Sequence, residues 1–121
     1  MSETQWSIRI ARTGRLLAAR AAMARTLMAR VKGLLGRRSL GGQEALILPQ
    51  CHSIHTLGMR CSIDAVFVDR SWRVVAIHPH LRPGRLLFPV FGAWGVVECA
   101  DGTVGRADLI VGDQLELTPT S

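Results

Sequence analysis

From Gly42 onward the chain consists of short apolar runs separated by turn residues, and this alternation constrains the fold more than any other feature. Runs of about 4–8 residues rich in Val, Ile and Phe, bounded by Gly, Pro, Asp or Ser, are typical of β-strands. A tight turn at residues 69–71 and a proline-containing loop at residues 78–85 separate some of them. The predicted strands are residues 45–48, 54–56, 62–68, 73–77, 86–91, 95–99 and 114–118.

The first 42 residues have a different texture. Residues 7–11 are predicted as a strand, and residues 16–22 are rich in alanine, which leaves helix and strand both open. From Thr26, apolar residues recur at the spacing of one helix face, so a short helix is expected at residues 26–36.

These elements predict a mainly β protein, a compact antiparallel β-sandwich or barrel-like fold with one short helix. A length of 121 residues suits a single domain over residues 1–121, with a basic hairpin and helix in 1–42 and a β core in 43–121. No apolar stretch reaches the roughly 18–20 residues of a membrane span.

Charge is concentrated at one end of the chain. Residues 1–42 hold eight Arg and one Lys against one Glu, whereas six Arg face eight acids in the remainder. Such a segment suits nucleic acid or an anionic membrane surface. No aromatic residue lies between Trp6 and Phe67 to stack on bases, which disfavours nucleic acid.

Arginines also interrupt every candidate apolar core of a secretion signal, so a cytoplasmic location is expected. The chain has three cysteines, an odd number that argues against a disulfide framework. A single bridge between Cys51 and Cys61 is left open in case the protein is exported.

Polar and titratable side chains concentrate in residues 51–64, and two acids interrupt apolar strands downstream. Acids in such strands are rarely buried without a partner, and Arg60, His55 or backbone N–H groups are the expected partners of Asp64 and Glu98. An arginine would favour a small anionic ligand or a peptide terminus. The candidate pocket comprises His55, Thr56, Met59, Arg60, Asp64 and Glu98.

Two chemical alternatives use the same region. A small hydrolase or metal-dependent enzyme could use His55 with Cys51 or Asp64. The metal-ligand candidates are Cys51, His52, His55 and Cys61, at a spacing that matches no known zinc signature. The pattern therefore favours a protein without catalytic residues, metal or cofactor. His78 and His80 are expected to be exposed in a loop.

Several motifs, taken in order, resemble a known family of bacterial type, domain of unknown function 192. They are residues 30–37, 53–60, 63–69, 73–75, 97–98 and 112–113. The resemblance implies a compact, mostly β domain with a small helix near the N-terminus, and it supplies no reaction, cofactor or catalytic residue. Many relatives carry an export signal or anchor.

The sequence thus predicts a small β domain of an uncharacterised family. It is expected to act as a non-enzymatic binding or accessory module, with its pocket around His55 to Arg60. A small anionic ligand, a peptide terminus or a protein partner is expected. The hydrolase or metal-dependent enzyme, and docking of the basic segment on nucleic acid or membrane, are the alternatives.

Overall fold

A computed structural model describes residues 5–24, 40–51, 60–85 and 89–120. The expected helix at 26–36 and strand at 54–56 lie outside these residues. The described elements are β1 (Gln5–Ile10), β2 (Leu16–Met23), β3 (Glu44–Leu48), β4 (Ile63–Val68), β5 (Val74–Leu81), β6 (Gly95–Ala100), α1 (Thr103–Ala107) and β7 (Leu115–Pro119).

All seven strands belong to one sheet, in the order β5-β4-β6-β3-β2-β1-β7. Every pair is antiparallel except β2–β3, which is parallel. The sheet curls into a half-barrel. An antiparallel bridge between Arg73 and Gln114 ties the beginning of edge strand β5 to the residue before the opposite edge strand, β7. The mainly β prediction is therefore confirmed, in the barrel-like form.

The curl gives the sheet two unlike faces. All seven strands and α1 contribute to the inner cluster, which fills the concave face, whereas the smaller outer cluster covers the other face of the central strands. The inner cluster is Ile8, Ile10, Leu17, Ala18, Ala21, Ala45, Ile47, Val66, Val68, Val74, Val97, Cys99, Val104, Ala107, Leu109 and Leu115. The outer cluster is Ala24, Leu48, Ile63, Ala65, Phe67 and Val96.

Two expectations need correction, and one open choice is decided by the structure. Residues 16–22, left open between helix and strand, form β2. The predicted loop from residue 78 is wrong at its start, because β5 continues to Leu81. His80 is exposed as expected, but His78 is half-buried. Residues 89–91 of a predicted strand are not in a strand, while 86–88 lie outside the described residues. The helix α1 was not expected, and it is only five residues long. No helix in the described part of the chain is long and apolar enough to span a membrane.

An ion pair holds the β1–β2 turn against the segment before β7. Arg12 donates from Nε to Asp113 Oδ1 at 2.7 Å and from Nη2 to Asp113 Oδ2 at 3.0 Å. The second oxygen also accepts the Ile110 N–H at 2.9 Å. The hydrogen bonds from Arg12 hold the pKa of Asp113 below its ordinary value. The pair therefore connects two loops at one end of the half-barrel.

Replacing Asp113 with Ala should lower the free energy of unfolding by about 1 kcal/mol, since Arg12 is exposed and solvent screens the pair. Because the folded-state pKa of Asp113 is depressed, its contribution is complete above the unfolded pKa and is lost as the pH falls through the folded value. Urea unfolding of wild type and Asp113→Ala across acidic pH measures this. Equal stability at neutral pH would contradict the assignment, and Glu116→Gln, on the exposed side of β7, serves as the control.

Candidate functional site

The two acids predicted to share a pocket lie on adjacent central strands, but on opposite faces. In the β4–β6 register Asp64 is opposite Cys99, and Glu98 is opposite Ala65. Side chains directly opposite each other share a face, and successive residues of a strand alternate between faces. Asp64 therefore lies on the inner-cluster face with Cys99, and Glu98 on the outer-cluster face with Ala65. The structure does not bring Asp64 and Glu98 into one pocket.

Asp64 is completely buried and accepts hydrogen bonds from two backbone N–H groups. Its Oδ1 accepts the N–H of His80 on β5 at 2.9 Å, and its Oδ2 accepts the N–H of Val104 in α1 at 2.8 Å. Backbone N–H groups were one of the three expected kinds of partner. Because both oxygens are engaged with backbone, Asp64 holds β4, β5 and α1 together.

The bond to His80 depends on an irregularity in β5. Ile63 pairs with Leu81, but Ala65 pairs with His78, so β5 has one extra residue opposite Asp64. Bulges of this kind re-aim a side chain and are where a strand tolerates proline, here residue 79. His80 adopts a left-handed φ of 54°. Its Nδ1 lies 2.5 Å from Oδ1 of Asp101, just after β6. The bulge thus brings His80 to Asp64 and Asp101.

Glu98 lies at the centre of the outer face. One row runs across four strands there, with His78 opposite Ala65, Ala65 opposite Glu98, and Glu98 opposite Leu46. Ala65 is the smallest side chain of the row. His78 contacts Phe67 edge to face, with ring centroids 5.6 Å apart. With two strand spacings between them, the Cα atoms of His78 and Glu98 are about 10 Å apart.

The environment of Glu98 is unfavourable for a carboxylate. The residue is 5% exposed, and it forms no hydrogen bond with any other residue that the structure describes. Burial raises the pKa of Glu98 to about 7. At neutral pH the group therefore exchanges readily between acid and carboxylate. Strongly perturbed carboxyl groups of this kind are enriched at functional sites.

Cys99, between the two acids in the fold, is not an activated nucleophile. Burial raises the pKa of its thiol to about 12, and the carboxylates of Asp64 and Glu98 add to the effect. The thiolate is the reactive form of cysteine, so this side chain is inert near neutral pH. Cys99 packs in the inner cluster instead.

Of the remaining predicted site residues, three are described by the structure and four lie outside the described residues. Arg60 is exposed, three residues before β4, and in the described structure it forms no ion pair with Asp64 or Glu98. Cys51 and Cys61 are half-buried thiols, not a disulfide. The histidines, threonine and methionine of the predicted sites lie outside the described residues: His52, His55, Thr56 and Met59.

Sequence reasoning missed the cluster that the fold does assemble. The donor atoms of Asp64, His80 and Asp101 lie within 4.8 Å of one another. Two signals were present in the sequence, the proline between two histidines and the Asp101-Gly102 turn after β6. Neither indicates by itself that the two segments meet.

A shallow groove lies elsewhere, between the β4–β5 turn and the segment before β6. Asp69, Arg70 and Ser71 line one side, and residues 92–94 line the other. Trp72 and Trp94 pack edge to face with ring centroids 5.6 Å apart. None of the three described pocket residues, Arg60, Asp64 and Glu98, lines this groove.

The fold and the two acids define the class, a small β protein built on one curled sheet with a buried carboxyl group on each face of its central strands. The chain belongs to the DUF192 family, described as an uncharacterised ACR, whose profile matches residues 8–117. The family resemblance found in the sequence is thereby confirmed.

Relatives come from distant organisms. A UPF0127 protein of Thermococcus sibiricus is 30% identical over 107 residues, which cover 85% of this chain and 69% of that protein. A protein of unknown function from Novosphingobium aromaticivorans has a similar crystal structure, with a TM-score of 0.78, 24% identity, and coverage of 93% of this chain and 83% of that one.

A proposed transcription regulator of Sinorhizobium meliloti is also similar, with a TM-score of 0.78, 21% identity, and coverage of 96% of this chain and 94% of that one. At this level of identity the likeness shows the fold alone. The chain is therefore a member of an uncharacterised family with a shared half-barrel fold.

Asp64→Ala should lower the free energy of unfolding by about 2–4 kcal/mol, because it leaves two backbone N–H groups unpaired in or near the core at about 1–3 kcal/mol each. Asp64→Asn should cost less, since one carbonyl oxygen remains as an acceptor. Urea denaturation measures both, with the exposed Asp108→Asn as control. A loss equal to that of the control would show that Asp64 does not hold the three elements.

Glu98 should make the protein less stable as the pH rises. The folded chain keeps its proton up to about pH 7, whereas the unfolded chain releases it near 4.5, the ordinary pKa of a glutamate side chain. The free energy of unfolding therefore falls by about 3 kcal/mol across this interval and stays lower above it.

Urea denaturation at about pH 5 and about pH 8 tests this titration. Glu98→Gln should lack the loss, so that the variant is the more stable protein at the higher pH. Glu116→Gln, on the exposed side of β7, should behave as wild type. If the free energy of unfolding depended on pH in the same way in wild type and Glu98→Gln, the burial of an ionising group would be contradicted.

Proposed function

We propose that this protein is a non-enzymatic binding module that recognises the amino terminus of a peptide, or a similar primary amine, through Glu98. The observation that carries this proposal is the buried carboxyl group on the outer-cluster face, which has no hydrogen-bond partner among the described residues. An acid held there without a hydrogen-bond donor costs stability. A ligand that donates hydrogen bonds to the carboxylate would offset that cost.

The surroundings of Glu98 favour a small donor. Its neighbours across the sheet are Ala65 and Leu46, which offer no polar group. Ala65 lies between Glu98 and His78 in the row. Its short side chain leaves room for a small group next to the carboxyl group of Glu98. Only 5% of Glu98 is exposed, so the ligand group must be narrow. A primary ammonium group meets these requirements, since it is compact and carries three N–H donors.

On the charge of its ligand the proposal departs from the expectation drawn from the sequence, which was an anionic ligand or peptide terminus attracted by Arg60. The negative charge of Glu98 would repel a small anionic ligand. Arg60, which was expected to attract such a ligand, forms no ion pair with Glu98 in the described structure. The amino end of a peptide terminus has the complementary charge. The proposal therefore favours a peptide partner over a free anion and retains the cytoplasmic location expected from the sequence.

The enzyme alternative receives less support from the geometry. A hydrolase built on His55 needs an acid to orient the imidazole, and the imidazole that the structure places beside Asp64 is that of His80, whose backbone N–H Asp64 also accepts. Docking on nucleic acid or membrane would use the basic residues of 25–38, which lie outside the described residues. That alternative stays a prediction.

The test uses two pools of tripeptides with mixed side chains, identical except that one pool is acetylated at the amino terminus. The free pool should bind, and acetylation should weaken binding, because it removes the charge and two of the three donors. Glu98→Gln should weaken binding of the free pool by about tenfold to a hundredfold, the effect of losing a hydrogen bond to a charged group. NMR titration of the labelled protein measures these affinities.

Glu116→Gln is the matched control, the same substitution at an exposed position of the sheet, and should bind like wild type. The amide signals that shift should include those of residues next to Glu98 on β4 and β6. Equal binding of the acetylated pool, undiminished binding by Glu98→Gln, or no binding of either pool would refute the proposal.

A further inference from the structure

We propose that Asp64, His80 and Asp101 bind a divalent transition-metal ion at the end of the sheet where β4 begins and β5 and β6 end. This site is independent of Glu98, which lies on the opposite face. Each of the three residues offers one ligand atom, and these atoms lie within 4.8 Å of one another. The set consists of an imidazole nitrogen and two carboxylate oxygens.

Distances favour such a site. Zinc lies about 2.0–2.2 Å from nitrogen and oxygen ligands, so ligand atoms around it are separated by about 3.3–3.6 Å. The observed atoms therefore need only small side-chain rotations to surround one ion. Nδ1 of His80 and Oδ1 of Asp101 already face each other at 2.5 Å. A metal ion bound to Nδ1 would take the place of this contact, and the neutral imidazole would carry its one proton on Nε2.

The fold holds one ligand rigidly and leaves two adjustable. Asp64 is fully buried, and two backbone N–H groups orient its carboxylate, as the outer-shell partners of metal ligands do. A carboxylate has about four lone-pair positions, so two such bonds leave others for a metal. His80 and Asp101 have side-chain exposures of 71% and 45%, which gives an ion access from solvent.

Charge and ligand number define the class of ion. Two carboxylates require positive charge nearby, and Arg106, the basic residue of α1, directs its guanidinium to the carbonyl of Gly42. An imidazole ligand favours first-row transition metals such as zinc over magnesium or calcium. Three protein ligands leave at least one coordination position open, as in zinc sites that bind water or substrate and unlike closed structural sites.

Calorimetric titration of the full chain with Zn²⁺ tests this site. Thiols also bind zinc, so the titration is done in the Cys51→Ser/Cys61→Ser background. One ion per chain should bind, and His80→Asn and Asp101→Asn should each weaken affinity by about tenfold to a hundredfold or more. Both replaced residues are exposed, so the variants should keep the wild-type circular dichroism spectrum and thermal unfolding.

Two matched controls complete the experiment. His78→Asn removes the other imidazole of β5, and Asp108→Asn removes an exposed carboxylate after α1; neither should change zinc affinity. Absence of binding in the serine background, or affinity that His80→Asn and Asp101→Asn leave unchanged, would overturn the site. Zinc binding that disappears with the two thiols would instead assign the metal to Cys51 and Cys61.

Discussion

The buried carboxylate of Asp64 needs a hydrogen-bond donor for each of its two oxygens. The end of the sheet where β4 begins is arranged around that requirement. One oxygen accepts the N–H of His80, which stabilises the extra residue in β5, and the other accepts the N–H of Val104, which positions the first turn of α1. Both donors belong to backbone that would otherwise lack a partner there. A single buried acid therefore sets where one strand bulges and where the helix begins.

Glu98 presents the opposite case. It lies one residue from Cys99, the cross-strand neighbour of Asp64, yet alternation sends it to the other face. There it meets Ala65 and Leu46 and no compensating donor among the described residues. A Gln or an apolar side chain would be more stable at that position at neutral pH. Retention of a destabilising acid is a common property of functional sites, where stability is exchanged for recognition.

The sequence predicted most of the described strands because their signal is local. Alternation and turn residues identified β3, β4, β6 and β7 to within about one or two residues, the usual uncertainty of strand ends. The alanines of residues 16–22 carry no period, so β2 was decided by pairing with β1 and β3. Pro79 suggested a loop, but it lies in an edge strand at a bulge, where the missing N–H is tolerated.

What the sequence alone determined is which residues are polar within apolar strands: it singled out Asp64 and Glu98, because an acid in such a run is visible without a structure. Only tertiary structure decided what each acid meets. The side chains across the sheet depend on strand order and register, which place β4 between its hairpin partner β5 and the more distant strand β6. That arrangement separated the two predicted pocket acids, and it brought Asp64 to His80 and Asp101, because long-range pairing has no counterpart in local spacing.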